Sequence, residues 1–171
     1  MIVLMAGLPG TGKSTLARKL ADQVNGTVLS KDEIRHTLFT ERDVKYSLEQ
    51  DDFCMEVMLE TAAYILRRHP GRIIFLDGRT FSRRYQIERV LQVATDLTQK
   101  WMVVECVCSE STARHRLTSP DPDYKHPARD RDFALYLDIK RQFEPISPPK
   151  VVIDTDQPLE ACIQQALAAL S

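Results

Sequence analysis

The sequence predicts an α/β protein in three layers, a five-stranded, mainly parallel sheet covered by helices on both faces. Three observations carry this reading. Short apolar runs alternate with segments of helical period along the chain. Most of the apolar runs are continuous rather than alternating, the pattern of strands buried on both faces of a parallel sheet. The first run, Ile2-Val3-Leu4-Met5-Ala6, passes through a glycine-rich turn directly into a helical pattern at Thr15 to Ala21, as a strand–loop–helix unit does.

The remaining elements follow in order. Val28-Leu29 is a short second strand. Ser30-Lys31-Asp32-Glu33 fits a capping box and starts a helix. Residues 41 to 49 are polar and without period. Phe53 to Arg68 has apolar residues by threes and fours and is stopped by His69-Pro70-Gly71. Arg72 to Asp77 is a buried strand ending in a carboxylate. Arg83 to Leu97 is a helix with Ile87, Val90, Leu91, Ala94 and Leu97 as its apolar stripe. Trp101 to Cys106 reads as a strand and Ser111 to Leu117 as a helix, after which Ser119-Pro120-Asp121-Pro122-Asp123 breaks regular structure. A helix over 131–143, a last strand at Val151 to Asp154 and a closing helix from Pro158 to Leu170 complete the pattern.

The 171 residues read as one domain spanning 1–171, long enough for one sizeable core. A net charge of −1 supplies no global field towards nucleic acid or membrane. No run approaches a membrane span. The N-terminal run lacks a basic region and enters the glycine turn at Gly7, so it reads as a core strand and not as a signal peptide. The four cysteines have no zinc-type or C-x-x-C spacing. Cys106 and Cys108 should share a strand face, and reduced, buried thiols suit a cytoplasmic protein. The four histidines show no metal-ligand spacing.

Gly7-Leu8-Pro9-Gly10-Thr11-Gly12-Lys13-Ser14 matches the phosphate-binding pattern G-x-x-x-x-G-K-[ST] at every fixed position. Glycines let such a loop curl until successive backbone N–H groups converge on one anion. The following helix adds the partial positive charge of its N-terminus. Residues Gly7 to Thr15 are therefore expected to bind ATP. Lys13 would reach the β- and γ-phosphates, and the Ser14 hydroxyl would join the shell of Mg²⁺.

Ligands of parallel sheets bind beyond the carboxyl ends of the strands. Three features converge there by chain order: the glycine loop, Asp32 after the second strand and Asp77 after the third. Asp32 could take the proton of an acceptor hydroxyl and aim its oxygen at the γ-phosphoryl group. Its plainer role is a helix-terminus anion, which Ser30 and Glu33 already supply. Arg35 shares a helix face with Asp32 and either pairs with it or holds an acceptor phosphate. Asp77 would hold the Mg²⁺ water shell or orient the acceptor. Arg79, Arg83 and Arg84 follow on the ligand side of the sheet, where Arg79 and Arg83 could bind an anionic acceptor by bidentate contacts. The segment 114–131 reads as a lid. Its arginines, Arg116 with Arg129 or Arg131, could neutralise charge on the transferred group and exclude water.

The phosphate loop, the run Ser30-Lys31-Asp32-Glu33-Ile34-Arg35 and the run Ile74-Phe75-Leu76-Asp77 before a basic turn resemble the small P-loop kinases. Nearest are the polynucleotide 5′-kinase domains and the zeta-toxin-like, AAA_33-type ATP-binding kinases. The resemblance spans nearly the whole chain and implies a P-loop NTPase fold with a small lid. It implies further that Asp32 matches the catalytic aspartate, Arg35 an acceptor-phosphate arginine, Asp77 an aspartate near the acceptor and Arg116 the first lid arginine. The chain departs from the pattern where a second lid arginine is usual, and Gly78-Arg79 replace the small polar residues that follow the strand aspartate. The expected activity is transfer of the γ-phosphate of ATP to a hydroxyl acceptor, either a polynucleotide 5′-OH or an anionic small molecule. The alternatives are an ATP hydrolase without an acceptor and a nucleotide-binding module without turnover.

Overall fold

The computed structural model describes residues 1–119 and 132–170. Among them, five strands form one sheet: β1 (Ile2–Ala6), β2 (Thr27–Ser30), β3 (Ile74–Asp77), β4 (Trp101–Val107) and β5 (Lys150–Asp154). The order is β2-β3-β1-β4-β5, and every pairing is parallel. The chain therefore builds outward from β1 in both directions, and all carboxyl ends lie on one edge. That edge carries the glycine loop after β1, the start of a helix after β2 and Asp77 at the end of β3.

The strands are buried on both faces because their side chains alternate between two cores. Ile2, Leu4, Ile74, Leu76 and Val103 meet one face. There α3 (Leu48–Arg68) supplies Met58 and Leu66, and α4 (Arg84–Asp96) supplies Val90 and Ala94. Val3, Met5, Phe75, Val104 and Ile153 meet the other face. There α1 (Lys13–Val24) supplies Leu16 and Leu20, and α7 (Leu159–Leu170) supplies Cys162 and Ala166. This is the predicted three-layer α/β/α architecture, with the sheet wholly rather than mainly parallel among the described residues.

Three further helices, α2 (Lys31–Leu38), α5 (Glu110–Thr118) and α6 (Phe133–Arg141), ride on the ligand edge. The Ser30 side chain caps α2 by accepting from the Glu33 N–H at 3.4 Å. The Ser47 side chain caps α3 by accepting from Gln50 N–H at 3.2 Å, so this helix begins five residues before the expected Phe53. Its first turn is mostly polar, and the buried apolar period starts only at Cys54 and Met55. Leu91 stays outside the core cluster and Val93 packs there instead. Cys106 is buried on β4, but the strand ends at Val107, so Cys108 lies beyond it and is half-buried. No helix among the described residues is long and apolar enough to cross a membrane. Of the expected lid, residues 114–118 are the end of α5 and Ser119 is its C-cap; residues 120–131, including Arg129 and Arg131, lie outside the described residues.

Candidate active site

The site is built on the glycine loop, whose backbone requires its glycines. Gly7, Gly10 and Gly12 have φ of 128°, 78° and 78°, a region that costs side-chain-bearing residues conformational energy. A Cβ on Gly7 would stand 2.2 Å from the Cys106 carbonyl oxygen, so β4 also excludes a side chain there. Lys13 is buried, and its ammonium donates to the carbonyls of Gly7 (2.8 Å) and Leu8 (2.7 Å). The loop thus holds its own cation in place, and a phosphate oxygen arriving inside the loop would take over those bonds. Burial pushes the Cys106 thiol beneath the loop up to about 12, against the pull of the Lys13 charge and with a push from Asp77.

Two tethers fix the loop. On one side, Gly7 N–H donates to the Thr80 carbonyl at 3.1 Å, joining it to the turn after β3. On the other, Arg116 in the last turn of α5 donates to the Gly10 carbonyl at 3.2 Å, to Thr155 Oγ1 at 3.0 Å and to the Thr155 carbonyl at 2.8 Å. Thr155, just past β5, donates from Oγ1 to the Thr11 carbonyl at 3.1 Å. Arg116 therefore lies against the loop, where a cation could meet bound phosphates.

Asp77 ends β3 beside Ser30, its register partner on β2. It is 3% exposed, and its Oδ1 is buried with no hydrogen-bond partner. A buried, unsatisfied carboxylate oxygen is costly unless something binds it. Oxygen ligands of this kind, together with the Ser14 hydroxyl, suit the hydrated shell of Mg²⁺, a hard cation that keeps several waters. These residues fit the metal.

Next to the phosphate loop lies a cavity of about 290 Å³. Pro9 of the loop forms one wall; Lys31, Asp32 and Arg35 of α2 form another. Asp51 from the first turn of α3 and Arg79 and Arg83 from the turn after β3 line it further, and Leu135 and Ile139 of α6 close over it. The Gly78 backbone, at φ 94°, passes so near α2 that a Cβ would be 3.0 Å from Lys31 N and Cβ. This packing accounts for glycine where small polar residues were expected. The cavity thus brings together Asp32, Arg35, Arg79 and Arg83 of the residues singled out in the sequence, while Asp77, one residue before its Gly78 wall, is buried and does not line it.

Most of its charges are paired inside the protein. Arg35 Nη1 donates to Asp32 Oδ1 at 3.0 Å, and Nη2 pairs with Asp51. Lys31 Nζ donates to Asp51 at 2.6 Å and stands 3.9 Å from Asp32. Burial pulls the Lys31 ammonium below its usual range, against the opposing pull of Asp51 and Asp32. Arg79 pairs with Asp52 at 2.6 Å and donates to the Tyr85 hydroxyl at 3.1 Å. Arg83 donates to neutral Gln142 at 2.7 Å. Lys31, Asp51, Asp52 and the α6 wall had no sequence signal as site residues: a carboxylate in a helix's first turn ordinarily reads as a dipole partner.

Several solved structures share this fold. The gluconokinase of Sinorhizobium meliloti aligns with a TM-score of 0.70 at 17% identity, covering 99% of this chain and 90% of that one. The Mycobacterium tuberculosis APS kinase CysC, solved with AMPPNP and APS, gives 0.71 at 18%, over 99% and 96%. Chaetomium thermophilum Kti12, solved with ADP-AlF3, gives 0.67 at 14%, over 100% of both chains. At such identities the likeness is one of fold. No curated protein matches the chain. A family model described as an AAA domain matches residues 2–146. That span takes in the glycine loop, the α2 carboxylate, the end of β3 and α6, and by it the chain belongs to the AAA domain family.

Proposed function

We propose that the protein is an ATP- and Mg²⁺-dependent phosphotransferase that moves the γ-phosphate of ATP to a hydroxyl of an anionic small molecule. The observation that carries the reading is the cavity beside Pro9, because it supplies a place for an acceptor. A site that only hydrolysed ATP would need room for a water, not some 290 Å³ lined by a buried carboxylate and arginines. A cavity of this size suits a compact ligand, being at the lower end of small-molecule sites. For this reason an anionic small molecule is preferred to a polynucleotide 5′-end.

In this reading Gly7 to Thr15 hold the nucleotide, and Lys13 exchanges its carbonyl partners for phosphate oxygens. Ser14 and, through water, Asp77 would hold Mg²⁺, which would supply neutralisation of the β- and γ-phosphate charge. Asp32 accepts the acceptor's hydroxyl proton and aims its oxygen in line. Arg35 and Lys31 fix the orientation of Asp32. Arg79 and Arg83 hold the acceptor's anionic group. Arg116, with Arg129, stabilises the transferred charge. The α6 wall limits water, which would otherwise divert the phosphoryl group.

The test is transfer of label from γ-labelled ATP with Mg²⁺ to a set of acceptors: sugar acids, neutral polyols and a 5′-hydroxyl oligonucleotide. Label should pass to an anionic hydroxy compound, and Asp32→Asn should lower that transfer by on the order of 10²-fold or more. Free phosphate released at one rate whatever the acceptor, and equally by Asp32→Asn, would refute the reading in favour of a hydrolase.

A further inference from the structure

Arg35 and Lys31 form a buried dication site at the cavity wall, and the protein fills it with its own carboxylate. The Arg35 side chain is 1% exposed and that of Lys31 7%. Asp51 joins them, receiving Lys31 Nζ at 2.6 Å and pairing with Arg35 Nη2. A carboxylate bridging an ammonium and a guanidinium is the contact an acceptor's carboxylate or phosphate would make there. Asp51 comes from a different helix than its partners, is 24% exposed and lines the cavity. Among the described charges at this wall, Lys31 and Arg35 are matched by Asp32 and Asp51. Across the cavity the balance differs. Arg83 is bonded to neutral Gln142, the Asp52 counter-ion of Arg79 is 47% exposed, and Asp138, which also lines the cavity, pairs with Arg141; a buried Nε without a partner is common to Arg79 and Arg35 and does not distinguish the walls.

We propose that Asp51 is a specificity-determining residue: its carboxylate occupies the Lys31–Arg35 anion subsite. The pocket then takes an acceptor whose reacting hydroxyl has neutral neighbours and whose single anionic group docks on the Arg79–Arg83 wall. This rests on the phosphotransferase reading for the word acceptor, and it reassigns Arg35 from holding an acceptor anion to holding Asp32. An acceptor with an anion next to its reacting hydroxyl would meet Asp51 and be rejected by like charge.

The test is an anion titration that needs no turnover. Protein saturated with Mg²⁺ and AMPPNP, so that the phosphate loop is filled, is titrated calorimetrically with inorganic phosphate. Wild type should bind phosphate at the Arg79–Arg83 wall, and Arg83→Gln should weaken that binding about tenfold or more. Asp51→Asn should open a second site, at least tenfold tighter than any second event in wild type, and Asp51→Glu should restore the wild-type profile. If Asp51→Asn keeps AMPPNP affinity but gains no phosphate site, the inference falls. If Asp51→Asn does not fold, Arg83→Gln decides alone: unchanged phosphate binding refutes the docking wall. Loss of the phosphotransferase reading would appear differently, as no label transfer to any acceptor while these anion shifts persist.

Discussion

Replacing Arg35 with leucine is expected to destabilise the protein by about 3 kcal/mol. The magnitude follows from the surroundings of the guanidinium. It bonds to Asp32 at 3.0 Å and pairs with Asp51, and its side chain is 1% exposed. Leucine would leave Asp32, itself 1% exposed, with a lysine ammonium 3.9 Å away as its neighbouring cation. Deleting one partner of a buried pair costs roughly 3–5 kcal/mol because a charge stays buried without its counter-ion. The lower end applies because Lys31 remains beside both carboxylates and Asp51 can turn to water. With a urea dependence of about 2 kcal/mol per M, the unfolding midpoint should fall by about 1.5 M. The melting temperature should fall by about 6–12 °C. Arg35→Leu/Asp51→Asn should recover about 1 kcal/mol or more relative to the two single losses added together, since the second change removes a charge the first left stranded. A loss below about 1 kcal/mol in Arg35→Leu, or strict additivity in the double variant, would refute the buried network as a coupled unit.

Two other outcomes are expected. Arg116→Ala removes three hydrogen bonds that hold the Gly10 carbonyl and Thr155, so the KM for ATP should rise about tenfold while the KM for acceptor changes little; equal changes in both would place Arg116 outside the nucleotide side. The second concerns Cys106, whose thiol burial raises from 9.0 to about 12. Its contribution to stability is complete below pH 9 and is lost as pH rises towards 12, because the unfolded chain ionises first. Between pH 8.5 and 10.5 the wild type should therefore lose about 2 kcal/mol more than Cys106→Ala, and parallel pH–stability curves for the two proteins would contradict this.

The nucleotide half of the site was legible because its chemistry is local. A loop that must curl needs glycines at Gly7, Gly10 and Gly12, and the strand before it and helix after it declare themselves by period. Ser30 and Glu33 likewise mark the start of α2 within four residues. The start of α3 was missed although Ser47 and Gln50 form a capping pair of the same kind, because the apolar period used to find the helix begins only at the core. The acceptor half was partly hidden for a different reason. Asp32, Arg35, Arg79 and Arg83 could be placed on the ligand edge by chain order. What they bind could not, because Asp51 and Asp52 reach them only through the packing of α3 against α2 and the β3 turn.

That division has a physical consequence for how the site works. The phosphate loop is bonded on its Gly7 side to Thr80, in the turn that carries Arg79 and Arg83. On its Gly10 side it is bonded to Arg116 and, through Thr11, to Thr155. A phosphate in the loop would compete for the Lys13 ammonium that now donates to the Gly7 and Leu8 carbonyls, and Gly7 is the residue whose N–H donates to the Thr80 carbonyl. A shift of Gly7 would therefore reach the proposed acceptor wall through a single residue, without crossing the core. The members of the Lys31–Asp32–Arg35–Asp51 network are tied to one another across α2 and α3. In the proposed reading, the Arg79–Arg83 wall is bonded to the loop through Thr80, and the Asp32 carboxylate is held by Arg35. The proposed transfer would use both, since an acceptor must be drawn to the phosphate while the group that takes its proton stays in place.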